Sequence, residues 1–357
     1  MNGTETLWSI PGAWAVAQAL VSFLWQGALV ALALAGALTL VRGPRLRYAL
    51  LKIVRHIWRE RPDIVFSTID YFNVTLGATR QFWPRRTRFV ARPTILFSAA
   101  LERNDRARFW RALTKFALVN TDLFVFQSSA MEQDYRKSLD WHEGAGVVIP
   151  NPLDFSFVRE RASCQDDGPA YDPDAFNLVA AGRLEDQKGF DLAIGAMALA
   201  RNRNVRLTIL GEGSLRARLE RQIQELRLQD RVRLIGYRHN PYPSYAQADG
   251  FLLSSRFEGF PNVVLESLSC GTPVIATPVA GLSSILQDIP QCEIVPGYTA
   301  PLLADSIDRF AERGRQRVDS RAVGRFDARQ VVLKYEELFE SLVTPPATVA
   351  RRWSLAR

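Results

Sequence analysis

From residue 62 onward the chain alternates short apolar runs with longer amphipathic stretches, and it does so in two series. The first series holds Asp63–Thr68, Arg88–Ala91, Asp122–Gln127 and Gly146–Pro150. The second holds Phe176–Gly182, Val205–Gly211, Arg231–Gly236, Asp249–Ser255 and Pro273–Thr277. Short apolar runs bounded by Gly and Pro predict buried strands, and the stretches between them, among them Arg106–Leu118, Ala130–Leu139 and Ser214–Leu228, predict helices. Parallel strands need such crossovers, so each series predicts a parallel sheet with helices on its faces. The fold class is α/β, with two Rossmann-like, doubly wound domains. Asn151-Pro152 and the polar stretch to Pro173 read as the linker between them, and a last helix, Ala328–Leu342, precedes a Pro-Pro break and a basic tail. Two such domains are expected to bind ligand in a cleft at the C-terminal strand edges.

The start of the chain follows a different logic. Between Glu5 and Arg42 lie 36 positions with no charged residue, against roughly 20 needed to cross a bilayer. The most apolar part is Leu20–Val41, with Trp8, Trp14 and Trp25 placed to sit near an interface. Arg42, Arg45, Arg47, Lys52, Arg55, Arg59 and Arg61 follow, with Glu60 the only acid among them. This asymmetry predicts a membrane anchor over residues 1–42 with the following chain on the cytoplasmic side, at an inner or plasma membrane. A cleaved signal peptide fits less well, because the start is acidic and the apolar core is long. The domain reading is then 1–42 anchor, 43–150 first Rossmann-like domain, 151–326 second domain, and 327–357 final helix and tail.

Charge supports this division. The net charge is +8, and residues 1–150 carry all of it, with 19 Lys and Arg against 11 Asp and Glu. A one-sided excess points to an anionic surface as partner. The anchor makes that surface a membrane, to which the Arg-rich stretch Arg80–Arg111 also fits. No basic-aromatic motif of a nucleic-acid module occurs, and no nucleic-acid partner is expected. Cys164, Cys270 and Cys292 form no CxxC pair, and His56, His142 and His239 are equally scattered. A zinc or iron–sulfur site and a disulfide framework are therefore not expected.

Two clusters carry chemistry. In AAGRLEDQKGFD, Gly182 ends a strand, Arg183 lies in the loop and Lys188 is near the next helix. A planar fork and a point charge at such a loop suit a diphosphate. The alternative is that both cations pair with Glu185, Asp186 or Asp191 on a solvated face. In SSRFEGFPNVVLE, Gly259 and Pro261 predict a tight turn between a strand and a helix starting near Asn262. Free N–H groups of a first helical turn receive anions. Glu258 lies in that turn and Glu266 follows in the helix, and a carboxylate accepts hydrogen bonds from sugar hydroxyls. The alternative is an ordinary strand–turn–helix bearing two solvated acids. Gly211-Glu212-Gly213 follows a strand without completing GxGxxG, and no GxxxxGK[ST] loop is present, so a P-loop kinase is not supported.

Taken in order, AGRLEDQKGFDLAI, LTILGEGSLRARLE and RVRLIGYRHNPYPSYAQADGFLLSSRFEGFPNVVLESLSCGTPVIAT resemble the donor-binding domain of retaining GT-B glycosyltransferases of the family 4 type, the glycosyl transferases group 1. The Glu258-x7-Glu266 signature occurs with the Gly182-Arg183-x4-Lys188 pair upstream of it. The first half is a poorer match: RPDIVFSTIDYFNV, TDLFVFQSSAMEQDYRKSL and GVVIPNPLD resemble the acceptor domain, but the family's opening strand, glycine-rich loop and second strand do not appear, so this domain reads as incomplete.

The resemblance implies roles. Arg183 and Lys188 hold the donor diphosphate and stabilise the departing nucleotide, Glu258 faces the transferred sugar, and Glu266 holds the ribose hydroxyls. Gly259, Phe260, Asn262 and Val263 bring backbone near the sugar and β-phosphate. Gly182 and Gly211 line the donor loops, and Gly236-Tyr237 borders the base. It also implies no cofactor and no metal, the cations and the helix N-terminus taking the metal's place. The chain is therefore expected to move a sugar, with retention, from a nucleotide sugar, UDP more than GDP, to a lipid-linked or glycan acceptor. The incomplete first domain keeps open a second reading, a membrane-tethered nucleotide-sugar binder without catalysis.

Overall fold

The computed structural model describes residues 44–68, 70–102, 107–142, 144–164 and 171–344. The predicted membrane anchor lies outside the described residues, and among the described residues no helix is long and apolar enough to cross a membrane. The expected truncation of the first domain, whose opening that anchor replaces, likewise lies outside the described residues. The chain divides into two compact units, one of residues up to 92 together with 106–124, the other of residues 93–105 together with 125 onward.

The first unit begins with the helix Pro44–Glu60, followed by strand β1 (Ile64–Ser67), the helix Asp70–Thr79, strand β2 (Arg88–Ala91) and the helix Ala107–Val119. Strand β3 (Leu123–Phe126) follows where the chain passes into the second unit, to which β4 (Gly146–Val148) belongs, and the strand order is β1-β2-β3-β4. β1 pairs parallel with β2, in register from Ile64 with Arg88 to Ser67 with Ala91, and β2 pairs parallel with β3. The helices Asp70–Thr79 and Ala107–Val119 touch at Gly77, where a Cβ would lie 2.9 Å from the Ala117 carbonyl oxygen.

Asp122 fixes the entry to β3. Its Oδ2 accepts from Arg80 Nε at 2.9 Å and from the Phe89 amide at 2.8 Å, and its Oδ1 accepts from Arg88 Nη1 at 3.1 Å. Burial works against ionisation of Asp122, but the Arg80 hydrogen bond, the Phe89 amide and Arg88 together outweigh it and hold the carboxyl below its ordinary range. Its stabilisation is therefore fully present above the ordinary value of 3.8 and fades as pH falls through the lower value of the folded state.

In the second unit a six-stranded sheet has the order β10-β9-β8-β5-β6-β7, and each neighbouring pair is parallel. The strands are β5 (Phe176–Ala181), β6 (Val205–Leu210), β7 (Val232–Gly236), β8 (Gly250–Leu253), β9 (Val274–Ala276) and β10 (Glu293–Ile294). From β5 the chain builds outward through β6 and β7, then returns to the other side of β5 with β8. This is the doubly wound arrangement, with its switch point between β5 and β8. Alternation of side chains along β5 divides the core between the two faces. Leu178 and Ala180 join the cluster under the helices Phe190–Leu199 and Ala300–Glu312, and Val179 joins the cluster with Tyr245, Val264 and Leu268.

The stretch read as a linker holds a helix, Phe155–Ala162, capped by Asp154 and burying Phe155 and Val158. Its two apolar contacts are too short a pattern to show a period in sequence, which is why it reads as a loop. The final helix runs Ala328–Val343, and its start is tied back to residue 153, the Leu153 amide donating to the Phe326 carbonyl and the Ala328 amide to the Leu153 carbonyl.

Replacing Asp122 with Ala leaves Arg80 and the Phe89 amide without their acceptor, and is expected to cost about 2 kcal/mol in chemical denaturation at pH 7. The difference from wild type should shrink as the pH is lowered below 4, because the carboxylate loses its charge there.

Candidate functional site

At the switch point, the loops leaving the C-terminal ends of β5 and β8 meet. They are held together by backbone that only glycine allows. Gly189 has φ +60, and a Cβ there would lie 2.1 Å from the Ser254 carbonyl oxygen. The Ser254 hydroxyl in turn donates to the Lys188 carbonyl at 2.8 Å, and the Arg256 amide donates to the Gln187 carbonyl. The Arg256 guanidinium grips both oxygens of Asp191, at 2.8 and 2.7 Å. The two loops therefore behave as one piece.

That piece brings Lys188 to Glu258. Lys188 Nζ donates to Glu258 Oε1 at 2.7 Å, and the Ser255 hydroxyl donates to the same oxygen at 2.7 Å. Both charged side chains are largely shielded, with 17% and 9% of their surfaces exposed. Glu266 lies on the helix Asn262–Ser269. Burial pushes its carboxyl up to about 6, against a smaller downward pull from Lys188. Among the described residues its carboxylate makes no hydrogen bond. Pro261 precedes the helix and no side chain caps its first amides.

Arg183 is exposed and, among the described residues, makes no hydrogen bond or ion pair. Its acidic neighbours are engaged elsewhere. Glu185 accepts from the Ser214 amide and hydroxyl at 3.1 and 2.9 Å, and Asp191 is held by Arg256. The solvated-face alternative for these cations thus fails for Lys188, whose partner is Glu258 across the switch point, and leaves Arg183 free to meet a ligand.

The remaining predicted positions lie along the same sheet edge. The Gly182 amide donates to the Leu210 carbonyl at 3.0 Å, and the Gly211 amide to the Gly236 carbonyl at 2.8 Å. A Cβ on Gly211 would lie 1.8 Å from the Gly182 carbonyl oxygen, so the turns after β5 and β6 touch backbone to backbone. Tyr237 follows Gly236 with 72% of its surface exposed. Phe260 is different: its ring is buried against Phe326, so only its backbone is available at the turn. Asn262 Oδ1 accepts from Asn151 Nδ2 at 2.7 Å, Gly259 packs against the Thr94 carbonyl, and Val263 is half-buried.

Sequence reasoning missed Ser255, Gly189 and the Arg256–Asp191 clamp. Ser255 stands in the motif that was read, but only its bond to Glu258 separates it from Ser254. Cys270 and Cys292 have thiols pushed up by burial to about 12 and about 11, so neither is a ready thiolate. Among the described residues no group of three or more His, Cys, Asp or Glu is placed to hold a metal.

The site thus offers an anion two cations and an uncapped helix start, and offers hydroxyl groups two carboxylates. Residues 168–325 match the family described as glycosyl transferases group 1. This segment is similar to those enzymes. An uncharacterized glycosyltransferase of Methanocaldococcus jannaschii is 26% identical over 247 residues, 64% of this chain and 58% of that protein. A lipopolysaccharide core biosynthesis glycosyltransferase of Rhizobium meliloti is 32% identical over 178 residues, 47% of this chain and 51% of that protein. The chain thus spans between half and three-fifths of the length of these curated relatives. Anabaena HepE, solved in complex with UDP, superposes with a TM-score of 0.67 at 18% identity, over 83% of each chain. At that identity the likeness is one of fold, and the α/β organisation with parallel sheets matches the GT-B glycosyltransferases.

The raised carboxyl of Glu266 has a measurable sign. A carboxyl held near 6 in the fold and near 4.5 otherwise favours the folded state only while protonated. Stability should therefore fall by about 2 kcal/mol as pH rises from 4.5 through 6 and level off above. Glu266→Gln is expected to remove that step and to unfold at higher denaturant than wild type at pH 7.

Proposed function

We propose that this chain is a retaining glycosyltransferase that takes a sugar from a nucleotide diphosphate sugar, UDP favoured over GDP, and passes it to a lipid-linked or polysaccharide acceptor at the cytoplasmic face of a membrane. The reading rests above all on the Lys188–Glu258 contact at the switch point, with the unpaired Arg183 beside it in sequence. The UDP bound to Anabaena HepE and the lipopolysaccharide-core role named for the Rhizobium relative support the donor and acceptor classes.

In this reading Arg183 takes the diphosphate as a fork, and Lys188 leaves Glu258 to join it. Of the amides at the start of Asn262–Ser269, those of Asn262 and Val264 are held by the Phe260 and Pro261 carbonyls, and the Val263 amide takes a remaining phosphate oxygen. Glu266 accepts from the ribose hydroxyls, and Glu258, released from Lys188, accepts from a hydroxyl of the transferred sugar. The bond from the anomeric carbon to the diphosphate breaks, and its electrons leave with the nucleotide, whose new charge the two cations stabilise without a metal. The acceptor hydroxyl oxygen bonds to the anomeric carbon on the face the nucleotide leaves and passes its proton to the departing phosphate oxygen, so configuration is kept. Removing one such charge contact typically costs about 2.7–4 kcal/mol, or roughly 10²–10³ in rate.

Calorimetric titration of UDP and GDP into the full chain in detergent, with a chelator present, tests the donor site. UDP is expected to bind more tightly, with affinity rising between pH 5 and 7 as Glu266 ionises. Arg183→Ala is expected to lose UDP binding. Glu258→Ala is expected to keep nucleotide binding and lose transfer. Binding of neither nucleotide by the folded chain, or binding indifferent to Arg183→Ala, overturns the site. Donor binding with no transfer to any acceptor leaves a binding protein in place of the enzyme.

A further inference from the structure

The first unit carries a second pocket, of different chemistry. It opens at the N-terminal ends of β1 and β2, encloses about 390 Å³, and is lined by Trp58, Arg61, Asp63, Arg85, Arg86 and Thr87 together with Pro84. Arg61, Arg85 and Arg86 are exposed, and among the described residues none makes a side-chain hydrogen bond or ion pair. Their neighbours behave otherwise: Arg59 is paired with Glu60, and Arg80 and Arg88 are paired with Asp122. Three guanidinium groups facing one cavity repel one another unless an anion joins them.

Two observations of another kind point the same way. Thr87 is fully buried, and its hydroxyl has no hydrogen-bond partner. Such an orphan is costly in a folded protein unless something outside the chain satisfies it. Arg61 ends the helix Pro44–Glu60 at φ +47, in the left-handed region where glycine is the usual residue. That conformation turns the chain at the helix end, and the Arg61 side chain lies in the pocket lining. The rim is also apolar. Trp58 is half exposed, and so is Leu51, seven residues earlier and therefore on the same face of the helix, with Arg55 between them.

We propose that this pocket binds the phosphate of an anionic phospholipid headgroup. The arginine forks take the phosphate oxygens. The Thr87 hydroxyl donates to one of them, and Asp63, the only acid in the lining, accepts from a headgroup hydroxyl. Trp58 and Leu51 then lie at the acyl boundary, as in helices that rest in a membrane interface. Those two exposed apolar side chains favour a lipid over a soluble phosphate ester, which would leave them in water. The inference rests on the reading that the first unit faces an anionic membrane, and names the contact.

The test uses the full chain in a zwitterionic detergent. It is titrated by calorimetry with short-chain phosphatidylglycerol, short-chain phosphatidylcholine and glycerol 3-phosphate. Phosphatidylglycerol is expected to saturate one site and to bind more tightly than phosphatidylcholine. The double variant Arg85→Gln/Arg86→Gln is expected to weaken phosphatidylglycerol by about tenfold or more, with UDP binding unchanged. Thr87→Val should weaken it without lowering thermal stability, and Trp58→Ala should weaken the lipid but not glycerol 3-phosphate. Equal affinity for glycerol 3-phosphate and phosphatidylglycerol, indifferent to Trp58→Ala, overturns the lipid and leaves a soluble ester. Phosphatidylglycerol binding unchanged in the double variant overturns the pocket. If such a chain still prefers phosphatidylglycerol vesicles to phosphatidylcholine vesicles, the pocket fails while the membrane-facing reading stands.

Discussion

The reversal of strand order between β5 and β8 is the constraint on which the candidate site depends. Parallel neighbours whose crossovers leave to opposite sides cannot cover the gap between their C-terminal ends with a helix. Backbone from the two following loops fills it instead. The approach is closer than any side chain permits at Gly189, whose absent Cβ would fall 2.1 Å from the Ser254 carbonyl oxygen, while on the other side of β5 the absent Cβ of Gly211 would fall 1.8 Å from the Gly182 carbonyl oxygen. Once those turns touch, Lys188, Ser255 and Glu258 have no freedom to be elsewhere. The sheet topology thus sets the positions of the charges, and the glycines set their distances.

Much of this is legible in the sequence. β2 occupies the predicted run, β5 to β9 fall within theirs, and the helix at Asn262 starts where the Gly-Pro turn required. These elements have buried, nearly all-apolar strands or sharp turn chemistry, which sequence displays directly. The failures share a physical cause. The helix Phe155–Ala162 buries only Phe155 and Val158, so no periodic stripe marks it. β10 is two residues long and owes its existence to pairing with β9. For the site, residue types were readable and pairings were not. Lys188 had Glu185, Asp186 and Asp191 within a few positions, yet its partner is Glu258, 70 residues away. Asp191 was unavailable because Arg256, also distant in sequence, had already taken it. Local charge counting has no access to a competition decided by the switch point.

The two cations end up with different physical duties for the same reason. Arg183 stands exposed, keeps its hydration and makes no ion pair among the described residues. An anion meeting it gains a fork contact at the cost of displacing water. Lys188 is shielded and already paired, so an anion can gain it only by breaking a bond of 2.7 Å to Glu258. The net gain from Lys188 in ground-state binding is therefore small, since one carboxylate contact is exchanged for one phosphate contact. The gain grows when negative charge accumulates on the departing group, because the phosphate then attracts the ammonium more strongly than Glu258 does. That is the condition for a contact to lower a barrier and not merely to tighten binding.

Glu266 completes the argument from the opposite direction. Its carboxyl is pushed up to about 6 by burial, so at neutral pH the fold carries an ionised group in a place that disfavours it. No donor among the described residues relieves it. A ligand bearing two adjacent hydroxyl groups would relieve it, and the destabilisation present without ligand would reappear as affinity when the ligand binds. The same residue then makes the fold weaker alone and the complex stronger, a trade that natural sites make where a polar group must be ready before its partner arrives. The pairing of a satisfied carboxylate, Glu258, with an unsatisfied one, Glu266, within a single strand–turn–helix is what distinguishes this segment from an ordinary α/β connection with two solvated acids.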